Sequence, residues 1–162
     1  MTTIDNERAQ HMRVFATLDE LPPLVGQDIG TSEWTEVTQA QIDLFAEATG
    51  DHQWIHVDPV RAKDGPYGTT IAHGFLTLSL LPKMYASTIK VEQMRMGVNY
   101  GLNKVRFPAP VPVGSRLRCH IKLLACEEVA GNGLQLTWDM SVEREGETKP
   151  VCVAEFVQRR YR

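Results

Sequence analysis

The chain has 162 residues, enough for one domain with its own apolar core and no need of metal or disulfide support. Apolar residues make up 43% and charged residues 23%, at a formal net charge of −3, the balance of an ordinary globular protein. No run of Lys or Arg exceeds two, which argues against a nucleic-acid surface, and no apolar run reaches membrane-spanning length.

Residues 1–162 read as one domain, because no repeat, low-complexity tract or Gly/Ser linker divides them. Residues 1–12 are polar, lack an apolar signal core and are expected to form a flexible extension. Leu21-Pro-Pro-Leu-Val-Gly26 reads as an extended lead-in segment. The first helix is well signalled. Thr38 can cap it, Gln41 sits at the capping-box position, and Ile42, Phe45, Ala46 and Thr49 share one face. Gly50 ends it, which leaves Asp51 just beyond a helix end.

A second helix is expected from His73-Gly74 through Tyr85, with Pro82 placed to kink it. Its apolar residues run nearly all the way round, so it should be buried on most sides. Four strands follow: Asn99 to Phe107, Arg116 to Cys126, Leu134 to Val142 and Val151 to Arg160. The segments between them are turn-formers, and Leu134, Leu136, Trp138 and Met140 alternate with polar neighbours. Helices followed by a strand meander imply an α+β fold with the apolar helix on one sheet face. The cysteines, Cys119, Cys126 and Cys152, are an odd count without C-x-x-C spacing, so reduced thiols in the cytoplasm are expected. Cys119 and Cys126 are seven apart, which on a regular strand places them on opposite faces and disfavours a shared metal.

Residues 49–74 form the longest irregular stretch and hold three of the five histidines. His52 and His56, with Asp51 and Asp58 beside them, invite a metal reading. Trp54 to Val57, however, favours extended backbone, where residues four apart stand roughly 13 Å from each other, so no metal is expected. Acid–base chemistry suits the segment better. If the loop folds back, Asp51 and His56 place a carboxylate and an imidazole around one water, the usual groups for proton transfer near neutral pH. The ordinary alternative is that Asp51 caps a turn and His56 is an interior histidine with its bonds satisfied.

The run Thr49-Gly-Asp-His-Gln-Trp-Ile-His56, with Ala62 six residues on, resembles the hydratase motif of the MaoC-like (R)-specific enoyl-CoA hydratases and dehydratases. Ile71-Ala-His-Gly-Phe75 resembles the family's segment opening the central helix, and Asn103 to Gly114 its strand and turn after that helix. Two positions depart from the family pattern, Gln53 standing where Asn is usual and Trp54 where Pro is usual.

The resemblance implies a hot-dog fold, an antiparallel sheet wrapped around a long central helix. It also implies water addition to a trans-2-enoyl thioester giving the (R)-3-hydroxyacyl product, or the reverse. Asp51 and His56 would be catalytic, and the backbone N–H of Gly74, at a helix N-terminus, would meet the developing oxyanion. Tight helix–sheet packing is the other reading of that glycine. Gln53, Trp54 and His73 would support the loop or touch substrate. The substrate would be an acyl-CoA or acyl-carrier-protein thioester, no cofactor is implied, and hot-dog domains commonly form homodimers. Two rivals share the fold: an acyl-CoA thioesterase, and a subunit that binds acyl thioesters without turnover.

Overall fold

The structure is a computed structural model that describes residues 12–162; the expected flexible extension therefore lies outside the described residues, Met12 excepted. Strand β1 (Arg13–Thr17) pairs in parallel with β4 (Ile89–Gln93) as a separate ribbon. The main sheet joins β2 (Asp28–Thr31), β6 (Arg116–Val129), β7 (Gly133–Arg144), β8 (Cys152–Tyr161) and β5 (Met96–Arg106) in that order, all antiparallel. A short β3 (Thr35–Glu36) adds to β6 beyond β2. The four long strands are those expected, with ends that differ by three residues at most.

Residues 21–26 are not extended. Leu18–Glu20 and Pro22–Leu24 form two tight 3-10 turns, because they bury Leu18 and Leu21 completely while closing the chain on itself.

Helix α1 (Gln39–Thr49) begins and ends as its sequence dictates. The Thr38 hydroxyl accepts from Gln41 N–H, the Gln41 side chain accepts from Thr38 N–H, and Gly50 closes the helix at φ 77°. The central helix is two pieces, α4 (Gly74–Ser79) and α5 (Leu81–Thr88), broken at Leu80 with Pro82 in the first turn of the second piece. It is buried on one side only. Leu76, Leu81, Met84 and Tyr85 face the sheet, whereas Phe75 is 66% exposed.

The core face of the sheet supplies Leu117, Cys119, Ile121 and Leu123 from β6 and Leu134, Leu136, Trp138, Met140 and Val142 from β7. Trp138 packs edge-on to Tyr85 with centroids 5.2 Å apart, and its indole N–H donates to Gln158 Oε1 at 3.1 Å. Each such large side chain contributes on the order of 1.5–3 kcal/mol by burial. One expected face assignment fails. The β6–β7 register shifts between Leu123 and Ala125, and that bulge reverses the alternation, so Cys126 packs against the same core that buries Cys119.

Candidate active site

The loop after α1 is more ordered than its composition suggests. Trp54–Val57 is a single helical turn, α2, not an extended run, and Pro59–Lys63 is a second short helix, α3. Gln53 C=O accepts from His56 N–H, and Asp58 caps α3 by accepting from Arg61 N–H, with Pro59 pre-set for the first helical position. The bonds from His56 N–H to Gln53 C=O and from Asp58 N–H to Trp54 C=O close the turn against the strand propensity of Ile55 and Val57.

His56 sits on that turn and is 6% exposed. Its backbone carbonyl accepts from the Gln39 side chain at 2.8 Å, and Gln39 Oε1 in turn accepts from the Thr70 hydroxyl. The His56 Nδ1 lies 2.7 Å from Ile71 C=O. A carbonyl only accepts, so Nδ1 carries the proton and Nε2 of the neutral ring offers a lone pair. Burial pushes the His56 pKa below its ordinary 6.5; the Ile71 carbonyl opposes this, His73 adds to it, and Asp51 opposes it.

His73 is 3% exposed at the start of α4. Its Nε2–H donates to the backbone carbonyl of Asp51 at 2.9 Å, and its ring lies between Phe45 (4.9 Å) and His56 (3.8 Å, interplanar angle 24°). Its Nδ1 is buried without a partner among the described residues. Asp51 itself is exposed, and its carboxylate accepts weakly from Gln53 N–H at 3.4 Å. One carboxylate oxygen of Asp51, one ring nitrogen of His56 and one of His73 all lie within 4.8 Å of one another.

That trio has the donor types of a metal site, but its geometry is poor for one. Two nearly parallel, stacked imidazoles direct their in-plane lone pairs side by side and not at a common point. His52, the other half of the metal reading, turns outward to Glu47 at 3.6 Å.

A cavity of about 370 Å³ opens beside His56. Ile71, Ala72, Gly74 and Thr77 line it together with Phe107, the Pro108–Val111 segment, Val151 and the half-exposed Tyr67. Imidazole and helix start therefore face one space. Gly74 N–H has no acceptor among the described residues. Both readings of Gly74 find support in its surroundings: a Cβ there would come within 2.8 Å of the Phe107 ring.

The two departures from the family motif turn away from this cavity. The Gln53 side-chain amide is exposed and makes no hydrogen bond to the described residues. Trp54 stacks under the Arg61 guanidinium at 4.3 Å and fills the space above Gly65, so it braces the loop and does not narrow the cavity. Sequence reasoning missed Phe107 and Thr77, the first counted as a strand end and the second as one more helix residue. A bulky aromatic closing a strand just before Pro-Ala-Pro was the available signal for Phe107.

Sheet, broken central helix and buried imidazole define a hot-dog domain with a carboxylate–imidazole pair beside the start of its helix. The chain belongs to the MaoC-like dehydratase family: the family model described as MaoC like domain matches residues 20–143. It is 52% identical over 148 residues to 3-hydroxyacyl-thioester dehydratase Z of Mycobacterium tuberculosis, covering 91% of this chain and 98% of that protein. It is 47% identical over 143 residues to Nodulation protein N of Rhizobium leguminosarum bv. viciae, covering 87% and 89%. The solved (R)-hydratase from A. caviae involved in PHA biosynthesis shares the fold, with TM-score 0.64 and 22% identity over 83% of this chain and 94% of that one.

Proposed function

We propose that the chain reversibly adds water to a trans-2-enoyl thioester, forming the (R)-3-hydroxyacyl thioester, with acyl-CoA as the substrate class. The observation that carries this reading is the convergence of an Asp51 oxygen and a His56 ring nitrogen within 4.8 Å, beside a cavity that His56 shares with Gly74. The dehydratase name of the 52% identical relative supports the reaction type.

In the hydration direction, His56 Nε2 takes a proton from a water that Asp51 holds, as the water oxygen bonds to Cβ. The C=C π electrons move onto the thioester oxygen, where Gly74 N–H meets the charge. His56 then returns the proton to Cα, and the carbonyl re-forms. The Asp51 carboxylate stabilises the transient imidazolium. Delivery of oxygen and proton from the one face that the pair occupies accounts for a single product configuration.

The free edge of β5 supports a homodimer. This strand ends the sheet, and Met96, Val98, Tyr100 and Leu102 on it are each more than 40% exposed. Pairing with β5 of a second copy covers that edge.

The test follows loss of the enoyl absorbance of crotonyl-CoA, with thiol capture in parallel and chiral analysis of the product. Asp51→Asn and His56→Gln are each expected to lose at least about a hundredfold in kcat. Release of free CoA would instead identify a thioesterase. Absence of both signals, with short and long enoyl chains, would leave a subunit that binds without turnover.

A further inference from the structure

A second cavity, of about 380 Å³, lies at the far end of the central helix, under β5 and β8 and remote in sequence from His56. Lys90 and Arg160 line it, and no Asp or Glu does. Arg160 is half-buried. Its Nη2 donates to Gln158 Oε1 at 3.1 Å, its Nη1 reaches only the Met94 sulfur at 3.4 Å, and its Nε is buried without a partner. Among the described residues no carboxylate pairs with it, although Arg116, Arg118, Arg144 and Arg162 all have such partners. A guanidinium drawn out of water without a counter-charge is costly, and a bound anion removes that cost.

The surroundings are arranged to hold this cation in place. The guanidinium carbon lies 4.8 Å over the ring of Tyr85, and a Cβ at Gly97 would meet Arg160 Nη1 at 2.6 Å, so β5 makes room for it by having none. Tyr85 is 4% exposed and its hydroxyl has no partner among the described residues. Burial pushes the Tyr85 phenol up to about 12, with Arg160 opposing, so it remains an O–H donor at neutral pH. Asn99 and Gln158 add polar groups to the wall, and Pro82, Ala86, Ile89, Val91 and Met94 give it an apolar side.

We propose that this second cavity binds an anion carried on an apolar chain, of the fatty-carboxylate class. The head lies at the Arg160 guanidinium, and the chain runs along Pro82, Ala86, Ile89 and Met94. The site is independent of the dehydratase reading, since it shares no lining residue with the cavity at His56.

Calorimetric titration of the full chain with decanoate, decanol and inorganic phosphate tests it. Decanoate is expected to bind one per chain, equally in the wild type and in His56→Gln, and at least tenfold more tightly than decanol or phosphate. Arg160→Gln weakens it by tenfold or more. Ala86→Phe, on an exposed position of α5, fills the cavity without removing a bond and covers the case in which Arg160→Gln does not fold. Four outcomes overturn the proposal: no decanoate binding at millimolar concentration, equal binding of decanol, equal binding of phosphate, or loss of binding in His56→Gln with retention in Arg160→Gln.

Discussion

The imidazole of His73 is stacked on that of His56 with ring centroids 3.8 Å apart, while its own Nε2–H holds the backbone carbonyl of Asp51 at 2.9 Å. One buried side chain at the helix start thus touches both members of the carboxylate–imidazole pair. Its Nδ1 is buried without a partner among the described residues.

His73→Phe keeps the stack on His56 and removes the bond to Asp51. A shift of the Asp51 carboxylate by about an ångström costs on the order of a hundredfold in rate. The expected result is a fall of tenfold or more in kcat at nearly unchanged KM for crotonyl-CoA. Unchanged kcat would show that the Asp51 loop holds its place without this bond.

His56 titrates below 6.5 because burial disfavours its charged form. Between the lowered value and 6.5 the unfolded chain binds more protons than the folded one, so stability falls as pH drops through that window and is flat in this respect above it. The neutral ring is the competent base, so the acid limb of kcat/KM should also lie below 6.5. NMR titration of the His56 ring proton gives the same midpoint directly, and a midpoint at or above 6.5 would contradict the structure.

Gly74 can be tested for packing and for oxyanion binding separately. Gly74→Ala alone collides with Phe107 and is expected to cost about 1–3 kcal/mol, a cost that Phe107→Ala in the same chain relieves. The alanine introduced in that double variant keeps its backbone N–H. Gly74→Pro, again with Phe107→Ala, removes the N–H at a first helical position, where Pro is tolerated. His73 already has the extended ψ of 137° that a following Pro requires. A kcat about a hundredfold lower for the Pro variant than for the Ala variant marks the oxyanion role. Equal rates leave Gly74 a packing residue.

Thr77 is 1% exposed, and its hydroxyl makes no bond back to the preceding turn, whereas those of Thr49, Ser79 and Thr88 do. Thr77→Val keeps the shape and removes an unsatisfied buried hydroxyl. Denaturant unfolding should show a gain of about 1 kcal/mol. A loss of stability would mean that an ordered water already satisfies the group.

The features legible in the chain alone are those decided between near neighbours. Thr38 and Gln41 cap α1 three residues apart, Gly50 ends it because only glycine takes that left-handed turn without strain, and alternation along β7 states which face is buried. Asp51 and His56 were legible as a pair because they are five residues apart in a recognisable motif. Contacts across long separations decided the rest. His73 meets Asp51 from 22 residues away, Ile71 fixes the His56 tautomer from 15, and Phe107 closes on Gly74 from the end of another strand. The bulge that turns Cys126 inward depends on how β6 pairs with β7, and the turn at Trp54–Val57 on Gln39, 17 residues away, holding the His56 carbonyl. Propensity and spacing describe each segment singly, whereas stacking, tautomer and cavity shape exist only once packing has brought the segments together.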